Sequence, residues 1–142
     1  MVFHFKKNTM NKVPKTEIKN NMNKEFIPYT EALALKELGF NEPCFAVYSE
    51  HDKTRVYEES SIVEGLKIQA PLYQQAFYFF REKYDLHRHI CYFSDTNVWH
   101  VDIYKTKNNG LMNHPMELTN YTTYEEAELA CLIKLIKIVK NK

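Results

Sequence analysis

Apolar residues recur at helical spacing in three segments of the chain. The segment after Pro28 is rich in Ala and Leu, which are strong helix formers, with Thr30 as a candidate N-cap, and Gly39 follows where a left-handed C-terminal residue belongs. A second helix opens at Pro71, carries a wide aromatic face and ends at the charged residues before Tyr84. The third begins at Thr123, where a capping box fits, and continues to the C-terminus.

Shorter apolar runs predict two antiparallel hairpins. Residues 44–48 and 54–57 form the first, and residues 87–93 and 98–104 form the second. Residues 58–69 also contain apolar side chains that need burial, and they fit either a third short strand or an irregular loop.

The connection between the two strands of the second hairpin predicts their register. If residues 94–97 form the loop, Phe93 lies opposite Val98, and every later pair follows by parity. The face that carries Val101 and Ile103 is then the core face, and the opposite face is polar.

The order α-β-β-α-β-β-α predicts an α+β fold, with an antiparallel sheet of about four strands and three helices on one face. A chain of 142 residues is the size of one domain. Helix and hairpin occur twice in succession, which hints at an internal duplication. We expect a single α+β domain over residues 26–142, preceded by a basic leader at residues 1–25.

The leader differs in charge from the rest of the chain. It holds six lysines and two acidic residues, a balance of +4, so the remainder carries −3 of the overall +1. Lysines such as Lys6 and Lys7 are able to contact the phosphates of a nucleic acid. Because the leader has no arginine and few interleaved aromatic residues, its composition favours a solvated segment over an RNA-binding arm.

Composition excludes several classes of protein. Three glycines, at positions 39, 65 and 110, stand too far apart to form a phosphate-cradling loop. Three cysteines without a C-x-x-C motif are typical of reduced thiols in a cytoplasmic protein. The chain has no apolar run of about 18 residues, so we expect neither a transmembrane helix nor a membrane partner.

The polar face of the second hairpin holds the most reactive residue types. Cys91 is predicted opposite His100, His89 opposite Asp102, and His87 lies one step further along. Cysteine, histidine and aspartate are zinc ligands, so a small metal-dependent or nucleic-acid-processing enzyme is one hypothesis. The alternative is an ordinary polar strand face, which we favour because no further metal-binding motif supports the cluster. We therefore expect no cofactor and no catalytic residue.

The aromatic content favours binding. Twenty of the 142 residues are Phe, Tyr or Trp, more than a core of three helices and four strands needs. Tyrosine gives a large contact area at low entropic cost and is enriched at interfaces. A coding bias toward Tyr, Asn, Lys and Ile explains the count equally well. The candidate partner-binding tyrosines are Tyr29, Tyr48, Tyr57, Tyr104, Tyr121 and Tyr124.

Three blocks of the chain resemble a group of small, largely uncharacterised phage and prophage proteins. They are Phe26–Phe45 (FIPYTEALALKELGFNEPCF), Ala70–Tyr84 (APLYQQAFYFFREKY) and Tyr124–Leu132 (YEEAELACL). Among small accessory proteins of this kind are anti-CRISPR inhibitors, including inhibitors of type VI-B RNA-guided effectors. The group has no catalytic motif to transfer.

The resemblance implies a non-enzymatic inhibitor that acts in the cytoplasm of a bacterial host. Its expected partner is a defence protein, an RNA-guided effector nuclease. We expect contact with the protein rather than with its guide RNA, because the domain without its leader is acidic and an acidic body can mimic nucleic acid in a basic channel.

Overall fold

The computed structural model of the chain describes residues 22–57, 67–107 and 116–142. Residues 22–25 form one helical turn. The elements that follow are α1 (Tyr29–Glu37), β1 (Ala46–Ser49), β2 (Arg55–Tyr57), β3 (Lys67–Gln69), α2 (Tyr73–Tyr84), β4 (His87–Phe93), β5 (Val98–Tyr104), β6 (Met116–Tyr121) and α3 (Tyr124–Lys140). This order confirms the predicted α+β class. In the described part of the chain, no helix is long and apolar enough to span a membrane.

The strands form two antiparallel sheets of three strands each. The first sheet has the order β2-β1-β3, and the second sheet has the order β4-β5-β6. Four of these strands, β1, β2, β4 and β5, belong to the two predicted hairpins of the expected four-stranded sheet. β3 lies in residues 58–69, which fitted either a strand or a loop, and β6 lies in a segment for which no strand was predicted. The central strand of the first sheet is β1, which comes first of its three strands along the chain. The central strand of the second sheet is β5, which comes second of its three, so the two sheets differ in connectivity.

The register of the second hairpin is as predicted. Phe93 lies opposite Val98, Cys91 opposite His100 and His89 opposite Asp102. The core face is also as predicted, because Val101 and Ile103 are buried and Ile90 and Trp99 pack partly against the core. α3 lies against this face of the second sheet.

Side-chain hydrogen bonds cap the start of α3 but not the start of α1. The Thr123 hydroxyl accepts a hydrogen bond from the Glu126 N–H at 3.2 Å, which caps α3 as predicted. The Glu126 carboxylate accepts from the N–H and hydroxyl of Thr122, at 3.1 and 2.8 Å, one residue before the cap. At α1 the prediction of Thr30 as the cap is wrong, because the helix starts after Pro28 without a side-chain cap.

One continuous core joins the helices to both sheets. Cys131 on α3 is buried as a small hydrophobic residue, and burial raises the pKa of its thiol to about 12. The largest fully buried side chains come from all parts of the described chain: Ile27, Leu35, Ile68, Phe80, Val101, Leu132 and Leu135.

Among the described residues, Phe26 is the first that belongs to the core. Phe26 is buried and pairs with Leu72 in an isolated antiparallel bridge, and Ile27 is fully buried. The Tyr48 hydroxyl donates to the Ile27 carbonyl at 2.6 Å. In the preceding helical turn, which we predicted as part of the leader, the Asn23 carboxamide oxygen accepts hydrogen bonds from β2. Residues 1–21 lie outside the described residues.

Replacement of Tyr48 with Phe tests this buried hydrogen bond. The variant leaves the Ile27 carbonyl without its donor, and we expect a loss of about 1–2 kcal/mol in the free energy of unfolding and a Tm lower by several degrees. The control is Tyr124→Phe, which removes the exposed hydrogen bond to Glu128 and is expected to change stability by less than about 0.5 kcal/mol. Equal melting temperatures for Y48F and the wild type would contradict a stabilising role for this hydrogen bond.

Candidate functional site

The polar face of the second hairpin brings two histidines to one carboxylate. Asp102 Oδ1 lies 3.2 Å from His100 Nε2, and Asp102 Oδ2 lies 3.9 Å from His89 Nδ1. His100 is buried, whereas most of the His89 side chain is exposed. The predicted cross-strand neighbours therefore meet in space.

Cys91 does not join this group as a metal ligand. Its sulfur is directed to the His100 carbonyl oxygen at 3.9 Å, and burial, followed by the charge of Asp102, raises the pKa of its thiol. A raised pKa disfavours the thiolate, which is the form that binds zinc. Within residues 22–57, 67–107 and 116–142, no group of three or more His, Cys, Asp or Glu side chains is arranged to hold a metal ion.

His87 belongs to a different structure at the end of the same face. Its Nε2 lies 3.0 Å from Asp85 Oδ1, and its ring stacks on Tyr104 with centroids 5.4 Å apart. Asp85 is the left-handed C-cap residue of α2 and also accepts from the Thr106 hydroxyl at 2.6 Å and from the Lys107 N–H at 2.8 Å. These bonds, the Thr106 hydroxyl first, lower the pKa of Asp85. One carboxylate thus joins the end of α2 to the segment after β5.

Of the predicted contact tyrosines, Tyr48 does not reach the surface. It is only 5% exposed because β1 directs alternate side chains into the core, and Tyr48 occupies one of those positions. Tyr57 and Tyr124 are exposed, as expected. The Tyr57 ring packs edge-on against Phe26 and its hydroxyl donates to Asn23, so part of this side chain is used within the fold.

The remaining predicted tyrosines, Tyr29, Tyr104 and Tyr121, are half-buried. Tyr29 packs edge-on against a buried core ring, Tyr104 stacks on a histidine and Tyr121 packs against the core. Lys6 and Lys7 lie outside the described residues. Tyr57 and Tyr124 are therefore the predicted tyrosines with the clearest access to a partner.

Tyr124 belongs to an exposed aromatic cluster that sequence reasoning did not find. Its ring packs edge-on against Trp99 at 5.2 Å, and Trp99 contacts Tyr92 at 5.2 Å. Tyr92 is 49% exposed and Tyr124 is 37% exposed. Parity places Tyr92 and Trp99 on the core face of the sheet, but α3 starts at Tyr124, so the end of the hairpin extends past its cover.

Carboxylates share a cavity with Tyr124. A cavity of about 280 Å³ beside it is lined by Lys24, Glu25, Tyr124, Glu125 and Glu128. We call the whole surface the aromatic–acidic patch: three rings, three carboxylates and one lysine, namely Tyr92, Trp99, Tyr124, Glu25, Glu125, Glu128 and Lys24.

Glu128 connects the patch to the interior. The Tyr124 hydroxyl donates to Glu128 Oε1 at 3.3 Å. Partial burial raises the pKa of Glu128, while the positive charge of Arg88 and the hydrogen bond from Tyr124 act in the opposite direction. The hydrogen bond orients the Tyr124 ring, so the patch presents its aromatic centre in a defined position.

Comparisons with known proteins return no match. No protein-family model matches the chain, and no curated protein or solved structure does.

The Asp85 hydrogen bonds predict a pH-dependent contribution to stability. The pKa of Asp85 in the folded chain lies below its ordinary value of 3.8, so the contribution is present above the unfolded-state pKa and is lost as the pH falls toward the folded-state pKa. We expect Asp85→Asn to lower the Tm near neutral pH, and the difference from wild type to shrink below about pH 4. Thermal melts across this range measure it.

Thr106→Val is the matching variant, because it removes the largest contribution to the pKa shift of Asp85. Thr106→Val is expected to reduce the acid sensitivity of the Tm, as Asp85→Asn does. Wild-type and D85N melting temperatures that fall in parallel would show that Asp85 does not carry this dependence.

Proposed function

We propose that the chain is a non-enzymatic binding protein, encoded by a phage or prophage, that inhibits a bacterial RNA-guided effector nuclease by docking on the effector protein. It acts in the cytoplasm of the host cell, and a type VI-B effector is the expected partner. The single observation that carries the binding function is the exposure of Tyr92 and Tyr124 around Trp99.

The composition of the patch supports a protein interface. Aromatic side chains are enriched at the centres of interfaces, where large rigid groups bury area at low entropic cost. Here Trp99 lies at the centre, and its contacts with Tyr92 and Tyr124 hold all three rings in place before binding. Preorganised rings lose little freedom on docking, which favours affinity.

The charge of the patch supports a basic partner. Glu25, Glu125 and Glu128 lie on one side of the rings, and the chain after residue 25 carries a net charge of −3. Charge complementarity accelerates association and fixes the orientation of a complex. A channel that binds RNA is rich in Lys and Arg, so it complements this surface.

The choice of an RNA-guided effector depends on the resemblance of residues 26–45, 70–84 and 124–132 to small phage proteins. Two residues of the patch, Tyr124 and Glu125, begin the third of these blocks. Inhibition follows if the patch occupies the basic channel, because guide or target RNA then loses phosphate contacts.

Copurification and RNA cleavage test the proposal. We expect the full-length chain to coelute with a purified type VI-B effector and to suppress its RNA cleavage. Tyr92→Ser and Glu125→Lys are expected to weaken binding about tenfold or more, the size of effect seen for residues at the centre of an interface. Circular dichroism verifies that both variants fold.

Two control variants match these changes elsewhere on the surface. Phe45→Ser removes an aromatic residue that is 70% exposed and lies outside the patch, and Glu37→Lys reverses an exposed charge on α1. Both are expected to bind as the wild type does. The absence of any complex with such effectors would refute the target, and equal losses in the control and patch variants would refute the surface.

A further inference from the structure

A second cavity lies between α2 and the beginning of β4. Its volume is about 410 Å³, within the range of small-molecule binding sites. The described residues that line it combine cationic, aromatic and amide side chains: Gln74, Phe77, Tyr78, Arg81, Leu86, His87, Arg88 and Tyr104. The proposed docking function does not use this cavity.

Arg88 is a charged residue at a core-facing position of β4. Its guanidinium carbon lies 3.9 Å from the centre of the Phe77 ring, a close cation–π contact. Among the described residues its buried Nε has no hydrogen-bond partner. A nitrogen without solvent access cannot reach a ligand in the cavity, so the donors that Arg88 can offer there are the terminal nitrogens of its guanidinium.

Arg81, on α2, supplies a second cation to the lining of the cavity. Its guanidinium carbon lies 5.0 Å from the centre of the Tyr78 ring, and its Nε donates to Glu82 at 3.0 Å. That ion pair uses Nε, so the terminal nitrogens of the guanidinium remain as donors. Each planar guanidinium can donate two parallel hydrogen bonds to the oxygens of a phosphate, so two arginines at one cavity suit this group.

The acidic groups near the cavity already have partners. Asp85 accepts from Thr106, Lys107 and His87, and Glu82 pairs with Arg81. Glu128 accepts from Tyr124 and partly balances the charge of Arg88 from α3. The permanently charged residues that line the cavity itself are Arg81 and Arg88, so the lining favours an anion.

The aromatic part of the lining favours a flat ring on the same ligand. Tyr78 is 47% exposed, and the Tyr104 ring stacks on His87, 17° from parallel, which fixes the plane of the tyrosine ring. Tyrosine faces stack on nucleobases without a strong base preference. The Gln74 carboxamide offers a donor and an acceptor for the edge of a base.

We propose that this cavity binds a nucleoside 5′-monophosphate group, with the phosphate on Arg81 and Arg88 and the base against Tyr78 and Tyr104. The group is either a free nucleotide or the 5′-terminal nucleotide of an RNA. Both sources present the same phosphate, sugar and base.

Isothermal titration calorimetry on the full-length chain tests the site. The probes are the four ribonucleoside 5′-monophosphates, the matching nucleosides, inorganic phosphate, and a short oligoribonucleotide with and without a 5′-phosphate. We expect nucleotides to bind more tightly than either the nucleosides or inorganic phosphate. Tighter binding of the 5′-phosphorylated oligonucleotide identifies an RNA end as the ligand, whereas tighter binding of a mononucleotide identifies the free form.

Three variants assign the binding to this cavity. Arg81→Gln is expected to weaken nucleotide binding about tenfold through the loss of a charged donor, and Tyr78→Ser about fivefold through the loss of stacking. Arg88→Lys keeps the charge opposite Glu128 but removes the planar fork, so a loss of about tenfold is expected with folding retained. Lys36→Gln, an exposed cation on α1, is the control and keeps wild-type affinity.

Three results would overturn the proposal. The first is no binding of any nucleotide at millimolar concentration. The second is equal affinity for inorganic phosphate and for nucleotides, which would show that the rings contribute nothing. The third is an equal loss in K36Q and R81Q, which would show general attraction between charges.

Discussion

The pairing register of β4 with β5 is the constraint on which the second half of the structure depends. A shift of one residue would exchange the two faces of the hairpin, because side chains alternate along a strand. In the observed register, Phe93 lies opposite Val98, and Val101 and Ile103 are buried under α3. The energy of burying this face therefore holds the register, and the register in turn decides which side chains remain outside.

Both candidate surfaces occur where a helix leaves part of this sheet uncovered. α3 begins at Tyr124, so Tyr92 and Trp99 extend beyond it as an exposed aromatic group. At the other end of β4, α2 covers Arg88 with Phe77 but leaves a cavity beside it. The positive charge of Arg88, in the cavity lining, opposes the rise in the pKa of Glu128, in the patch, so the charges at one surface influence the other.

The sequence was informative where a local rule had one solution. The loop length determined the hairpin register, and Thr123 determined the start of α3. It was less informative where long-range packing determined the secondary structure. β6 lies in a polar segment and forms a strand because β5 offers it a partner. Tyr92 and Arg88 occupy core-facing positions by parity, and nothing in the pattern shows that Tyr92 is exposed or that Arg88 lines a cavity.

The central claim is that the chain binds its partner through the aromatic–acidic patch. Hydrogen–deuterium exchange of the chain alone and in complex with a type VI-B effector tests it most directly, because amide protection maps the contact without any mutation. Binding at the patch predicts new protection at residues 90–99 and 121–128, and unchanged exchange at residues 45–57. Protection confined to residues 45–57, or to the face with His89 and Asp102, would contradict it.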